Sequence, residues 1–292
     1  MKLTDIFNKG KLTLSFEVFP PKNDTIFDSV KLATEKIAAL SPAFVSVTYG
    51  AGGGTSKYTL EIAQNIQKQY GVPTLAHLTC ISSNKQTVRE KIKEIKDSGI
   101  ENIMALRGDI PKEGISNPLD YTHAYELVEE IRREWGNEFC IGAACYPETH
   151  PESRNSSEDI AYLKEKVDAG VDFLTTQMFF DNPMFYSFMY RIREKGIVVP
   201  VIPGIMPITS VNQIQRVKAL SGSYMPKKFI QLVDKFSSNP NAMKQAGIAY
   251  AIAQIIDLYA NGIKNIHVYT MNNPEVAEKI ISSLSDIINT EN

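Results

Sequence analysis

Cysteine, histidine and net charge are all scarce in this sequence. Its 292 residues hold three cysteines, Cys80, Cys140 and Cys145, none of them in a C-x-x-C pair. With four histidines besides, a structural zinc site is not expected, and a reduced, cytoplasmic compartment fits. The formal net charge of −2 sets up no global field toward nucleic acid or an anionic membrane. No apolar run approaches the roughly 20 residues that cross a bilayer. The opening stretch, MKLTDIFNKGKLTLSF, lacks the continuous apolar core of a signal peptide. Linkers and low-complexity tracts are missing too, so residues 1–292 are expected to form one domain.

What is present is an alternation of strand-like and helix-like runs. The strands read as Leu12–Phe19, Phe44–Tyr49, Thr74–Cys80, Asn102–Asp109, Phe139–Tyr146, Asp172–Phe180, Val199–Met206 and Asn265–Met271. Amphipathic helical patterns lie between them, such as Phe27-x-x-Val30-x-x-Ala33-x-x-x-Ile37 and Val88-x-x-x-Ile92-x-x-Ile95. Gly71, Gly99, Gly170 and Gly196 each stand where a left-handed C-cap would end a helix. Parallel neighbours need helical crossovers, and eight repeats in this length fit a closed α/β structure, a single (β/α)8 TIM barrel. Ile208–Lys264, between the last two strands, reads as two or three extra helices.

Strand parity locates a candidate site. Ser15 and Glu17 share one face; so do Ser46 and Thr48, His77 and Thr79, Arg107 and Asp109, Thr175 and Gln177. Polar groups from five strands thus converge on the C-terminal end, where barrel active sites lie. Glu17, inside LSFEVFPPK, is either a structural carboxylate paired with Arg107 or Lys22, or a desolvated general acid. Arg107-Gly108-Asp109 is either a turn with a local ion pair or a ligand contact in which Asp109 accepts two N–H donors from a heterocycle. Gln177 suits an amide-like ring edge, or a hydrogen-bonded core. TYGAGGGTSK is neither a Walker A loop nor G-x-G-x-x-G, and reads as a strand-to-helix loop near a ligand. In YPETHPES, Glu148, His150 and Glu152 alternate too closely for a closed metal site; Tyr146 and His150 are better walls for a ring ligand.

The blocks SFEVFPPK, FVSVTYGAGG, HLTC, ALRGDIP, ACYP, HPE, KVDAGVDFLTTQMFFD, IPGIMPI and HVYTMN occur in the order found in methylenetetrahydrofolate reductases, and the chain resembles that family from about residue 12 to 275. The resemblance, to the short bacterial-type enzyme, implies a TIM barrel that carries FAD. It implies oxidation of NADH or NADPH and reduction of 5,10-methylenetetrahydrofolate to 5-methyltetrahydrofolate, in ping-pong order through flavin N5. It also implies Glu17 as general acid, Asp109 beside flavin and pterin, and Gln177 serving pterin and nicotinamide. Thr48, Tyr49, Ala51, His77, Arg107, Gly108, Asp109, Ala124, Tyr146, His150, Asp159 and Lys166 fall at positions associated with FAD. Of these, Arg107, His150 and Lys166 can meet a diphosphate. A homo-oligomer is implied; a metal is not.

The chain departs from the family pattern at Asn273, where many relatives carry arginine near the folate tail, and at Val211, where an aromatic can cover the bound ring. Tyr162 and Glu165 also differ, and a glutamate would repel a diphosphate. Two rivals remain: a proline-dehydrogenase-like flavin barrel, which would need a late arginine pair, and a noncatalytic folate- or flavin-binding protein.

Overall fold

The computed structural model describes residues 1–7, 10–21, 23–49, 56–81, 83–110, 120–221 and 223–289. Nine parallel strands form one sheet: β1 (Thr13–Val18), β2 (Val45–Val47), β3 (Thr74–Thr79), β4 (Asn102–Leu106), β5 (Cys140–Cys145), β6 (Phe173–Thr176), β7 (Val201–Ile202), β8 (Gly204–Ile205) and β9 (Asn265–Tyr269). The hydrogen-bonded order is β7-β6-β5-β4-β3-β2-β1-β9-β8, so neighbours follow the chain around a ring. Helical crossovers run outside it, as the alternating pattern requires. This is the expected TIM barrel.

The seventh strand differs from the reading of Val199–Met206 as one run. It is two dipeptides on either side of Pro203. β7 pairs with β6, and β8 pairs with β9. Proline has no N–H to give a ladder, so the strand breaks there and each half serves a different neighbour. The Pro203 carbonyl still accepts from His267 N at 2.9 Å. On the other side, Gly204 N donates to the Thr176 hydroxyl at 2.9 Å. The fourth and sixth strands also stop short of their expected ends, at Leu106 and Thr176, and the polar residues beyond become loop.

Local chemistry explains the helix boundaries. Gly71, Gly99, Gly170 and Gly196 all take positive φ after a helix, as the C-cap reading requires. At the other ends, Asn84, Asn155, Asn239 and Asn273 accept first-turn backbone N–H groups on their side-chain oxygens. The segment between β8 and β9 folds as three helices, Val211–Ser221, Lys227–Phe236 and Pro240–Ala260. Gly247 lets the last of these press on the Ile208 carbonyl, where a Cβ would sit 1.6 Å from the oxygen.

Apolar side chains fill the space between sheet and helices. A second cluster closes the barrel's N-terminal end: Leu3, Ile6 and Phe7, around the short helix Thr4–Phe7, pack on Phe44, Leu75 and Phe173. Phe7 meets Phe173 edge-on at 5.0 Å, and Leu3 N donates to the Asn102 side chain at 2.9 Å. Each such fully buried side chain stabilises the fold by about 2 kcal/mol. With that end packed shut, polar groups gather at the other. Among the described residues, no helix is long and apolar enough to cross a membrane.

Candidate active site

A cavity of about 490 Å³ opens beyond the C-terminal ends of β3, β4 and β5. The turn after β4 contributes Arg107, Gly108 and Asp109, and the loop after β5 contributes Tyr146 and His150. Tyr49 reaches in from the end of β2, and Ala124 from the start of the helix Ala124–Trp135. Asp159 and Lys166 enter from one face of the helix Ser156–Asp168. The family resemblance assigns all nine to FAD, and the fold brings them together around this one cavity. Gly108 sits at φ 89°, a conformation that favours glycine, and a Cβ there would meet Thr79 at 3.0 Å.

The interactions among these groups were less legible. Arg107 does not pair with Glu17. It grips Glu152 through both nitrogens, Nη1 donating to Oε2 at 2.5 Å and Nη2 to Oε1 at 2.7 Å. This contact holds the Glu152 carboxyl below its ordinary pKa and raises that of the guanidinium. Asp159 fixes the same loop, accepting from His150 N at 3.1 Å and Ser153 Oγ at 3.2 Å. Lys166 Nζ donates to the Ala144 carbonyl at 2.8 Å, and desolvation lowers its pKa. Burial likewise lowers that of His150, whose ring meets Tyr146 edge-on at 4.6 Å. The cavity's outer wall carries an aromatic set that the sequence reading did not assign to the site. His123 stacks with Tyr125 at 5.8 Å and with Tyr162 at 6.2 Å. Tyr162 was singled out only as a departure; Glu165, one turn away on its helix, does not line the cavity.

Glu17, His77, Thr48 and Gln177 lie outside the cavity lining. Thr48 secures the end of β2: its N donates to Val18 O and its carbonyl accepts from Thr59. Gln177 turns its side-chain oxygen back onto Met178 N at 3.0 Å. Ala51, and Lys22 as a partner for Glu17, fall outside the described residues. Glu148 accepts from Tyr224 N at 2.6 Å, apart from the Arg107 cluster that takes its neighbours His150 and Glu152.

Glu17 stands inside the barrel on β1, 9% exposed. Desolvation raises its pKa to about 8, so the carboxyl holds its proton at neutral pH. Within ion-pair distance among the described residues is His77 alone, Nε2 to Oε2 at 3.8 Å. Burial lowers the His77 pKa to about 4, leaving the imidazole neutral. Below them on the barrel axis, His267 bonds Ser15 at 2.8 Å and Ser46 at 3.0 Å, lies flat on Phe44 at 5.5 Å, and is held neutral with a pKa near about 3. Sequence parity found Ser15 and Ser46 but not the histidine joining them. Around Glu17 the backbone is tied across strands: the Asn272 side chain bonds both Phe19 N and O at 2.8 Å, and Thr270 Oγ1 donates to Glu17 O at 3.3 Å.

Together these features define an α/β barrel with a cavity at the C-terminal ends of its strands and a buried carboxyl inside it whose pKa is raised. Residues 2–285 match the model of the family described as methylenetetrahydrofolate reductase, and the chain belongs to that family. It is 33% identical over 277 residues to 5,10-methylenetetrahydrofolate reductase of Escherichia coli (strain K12), covering 94% of this chain and 92% of that one. It is 35% identical over 295 residues to methylenetetrahydrofolate reductase (NADH) 1 of Zea mays. That match takes in 97% of this chain and 50% of the maize protein, so the chain spans about half the length of the plant relative. Among solved structures, an uncharacterized protein from Clostridium thermocellum, titled as binding two copies of 5-methyl-5,6,7,8-tetrahydrofolic acid, superposes with a TM-score of 0.73. It covers 98% of this chain and all of its own, at 14% identity, and shares the fold.

Proposed function

We propose that this barrel reduces 5,10-methylenetetrahydrofolate to 5-methyltetrahydrofolate, using NADH or NADPH and a bound FAD. The observation that carries the reading is Glu17: a carboxyl buried inside the barrel beside a neutral histidine, free of any cation among the described residues, with its pKa raised to about 8. Pure binding of a folate or flavin has no use for a proton kept at that cost. Opening the imidazolidine ring of the substrate does. Glu17 gives its proton to the departing ring nitrogen, and the one-carbon unit becomes an electrophile.

The donors around the cavity fit FAD. Arg107, His150 and Lys166 offer cations or N–H groups to a diphosphate, and Tyr146 gives a flat wall. When bound, FAD would accept hydride from the nicotinamide and pass it to the one-carbon unit. Asp109, exposed at the cavity edge, would accept N–H groups of a pterin, and Gln177 would join it after turning its amide from Met178. Asn273 serves the fold instead of a folate tail, capping the helix Pro274–Ser283 through Val276 N. The glutamate carboxylates of the substrate therefore find their cations elsewhere.

The purified protein should be yellow, and anaerobic NADH or NADPH should bleach it. Glu17→Gln should still let the nicotinamide reduce the flavin while folate reduction falls by about a hundredfold or more, within the usual range for a lost general acid. Equal loss of both half-reactions, or a protein that never takes up FAD, would defeat the proposal.

A further inference from the structure

His77 falls at a position that the family resemblance assigns to FAD, yet it stands apart from the cavity and faces Glu17. Its Nε2 lies 3.8 Å from Glu17 Oε2, and the two side chains are 10% and 11% exposed. Its ring makes no hydrogen bond among the described residues. The other polar groups packed near Glu17 are already committed. Tyr269, beside Glu17 on β9, gives its hydroxyl to the Thr176 carbonyl at 2.6 Å. His267 has both nitrogens engaged by Ser15 and Ser46, and Ser46 is the β2 residue in register with Glu17. Among the described residues, β3 supplies the one side chain within ion-pair distance of the carboxyl, His77, with Nε2 toward Oε2.

We propose that His77 is the positioning residue for Glu17: its neutral imidazole, carrying its proton on Nε2, donates to the carboxylate that forms when Glu17 gives up its proton. This rests on the reading of Glu17 as an acid. At 3.8 Å the contact is longer than a hydrogen bond, as suits a neutral acid beside a neutral imidazole. Such contacts are often long without substrate and tighten during reaction. A cation at this position would ionise Glu17 permanently, and an apolar residue would strand the carboxylate. A neutral donor avoids both. Tyr269, which faces Glu17, and His267, deeper in the barrel beside His77, also stay uncharged near neutral pH, so His77 acts without a competing charge.

The carboxylic C=O infrared band of Glu17, identified by its loss in Glu17→Gln, can be titrated in wild type, His77→Phe and His77→Gln. Removing the donor should move the midpoint up by about one pH unit in His77→Phe, and an amide donor in His77→Gln should restore much of it. The folate half-reaction should slow by about tenfold in His77→Phe, more than flavin reduction by NADH, with rescue in His77→Gln. Should phenylalanine prove too bulky, His77→Leu carries the same expectation. An unchanged or lowered midpoint in the apolar variants overturns the assignment, as does a loss confined to FAD affinity. The band titration needs no folate, so a protein that shows the shift but reduces no folate keeps the Glu17–His77 pair and loses the proposed substrate.

Discussion

Glu152 occupies the guanidinium that a diphosphate would need. Its two bonds to Arg107 span the cavity wall, between residues 45 apart in the chain. Glu152 is more than half exposed, so the pair is worth little to stability. Its effect falls on the ligand, because an incoming phosphate must compete with a carboxylate already in the fork. Glu152→Gln should therefore tighten FAD binding by about two- to fivefold and steepen its dependence on salt, read by quenching of flavin fluorescence. Weaker binding would mean that Glu152 itself contacts the cofactor. Neither this pair nor the approach of His77 to Glu17 could be read from the sequence. Parity showed that Glu17, His77 and Arg107 face inward near one end. Which of them touch depends on the barrel's curvature, and it is the curvature that rules out the alternative in which Arg107 pairs with Glu17.

The elements themselves were more legible, because their causes are local. Apolar alternation marks β1 and β3, and the positive-φ glycines mark four helix ends, since both signals act over a few residues. The seventh strand shows where local signals fail. Val199–Met206 looks continuous, but closing the ring needs one half to serve β6 and the other β9, and Pro203 permits the break. Gly204 carries this join. A Cβ there would stand 2.5 Å from the Thr176 carbonyl and from the Tyr269 hydroxyl, neither of which can yield without losing their shared hydrogen bond. Gly204→Ala should cost about 2–3 kcal/mol in urea unfolding. Alanine at Gly262, which has open space but a positive φ, should cost less. Equal losses would show that backbone strain, not the crowded join, sets the penalty.

At the scale of the whole molecule, the proposed role of Glu17 couples stability and activity through the same proton. In the folded protein Glu17 titrates near about 8, above the ordinary carboxylate value of 4.5. The folded state therefore keeps a proton that the unfolded chain releases. The stability this gives is fully present below the unfolded pKa and is lost as pH rises toward and through about 8. Glu17→Gln has no proton to lose. Its melting temperature relative to wild type should rise between pH 5 and pH 9, measured by calorimetry in matched buffers; a constant difference would mean that Glu17 is ionised throughout. The folate half-reaction of the wild type should fade over the same alkaline range, because the acid is then spent.

The packing of Leu3, Ile6 and Phe7 against Phe44, Leu75 and Phe173 works as a cork in the base of a bottle. Traffic to the Glu17 carboxyl therefore passes through the neck, inward and outward alike. Two bulky reactants cannot reach it from opposite ends of the barrel; whatever binds there shares one entrance.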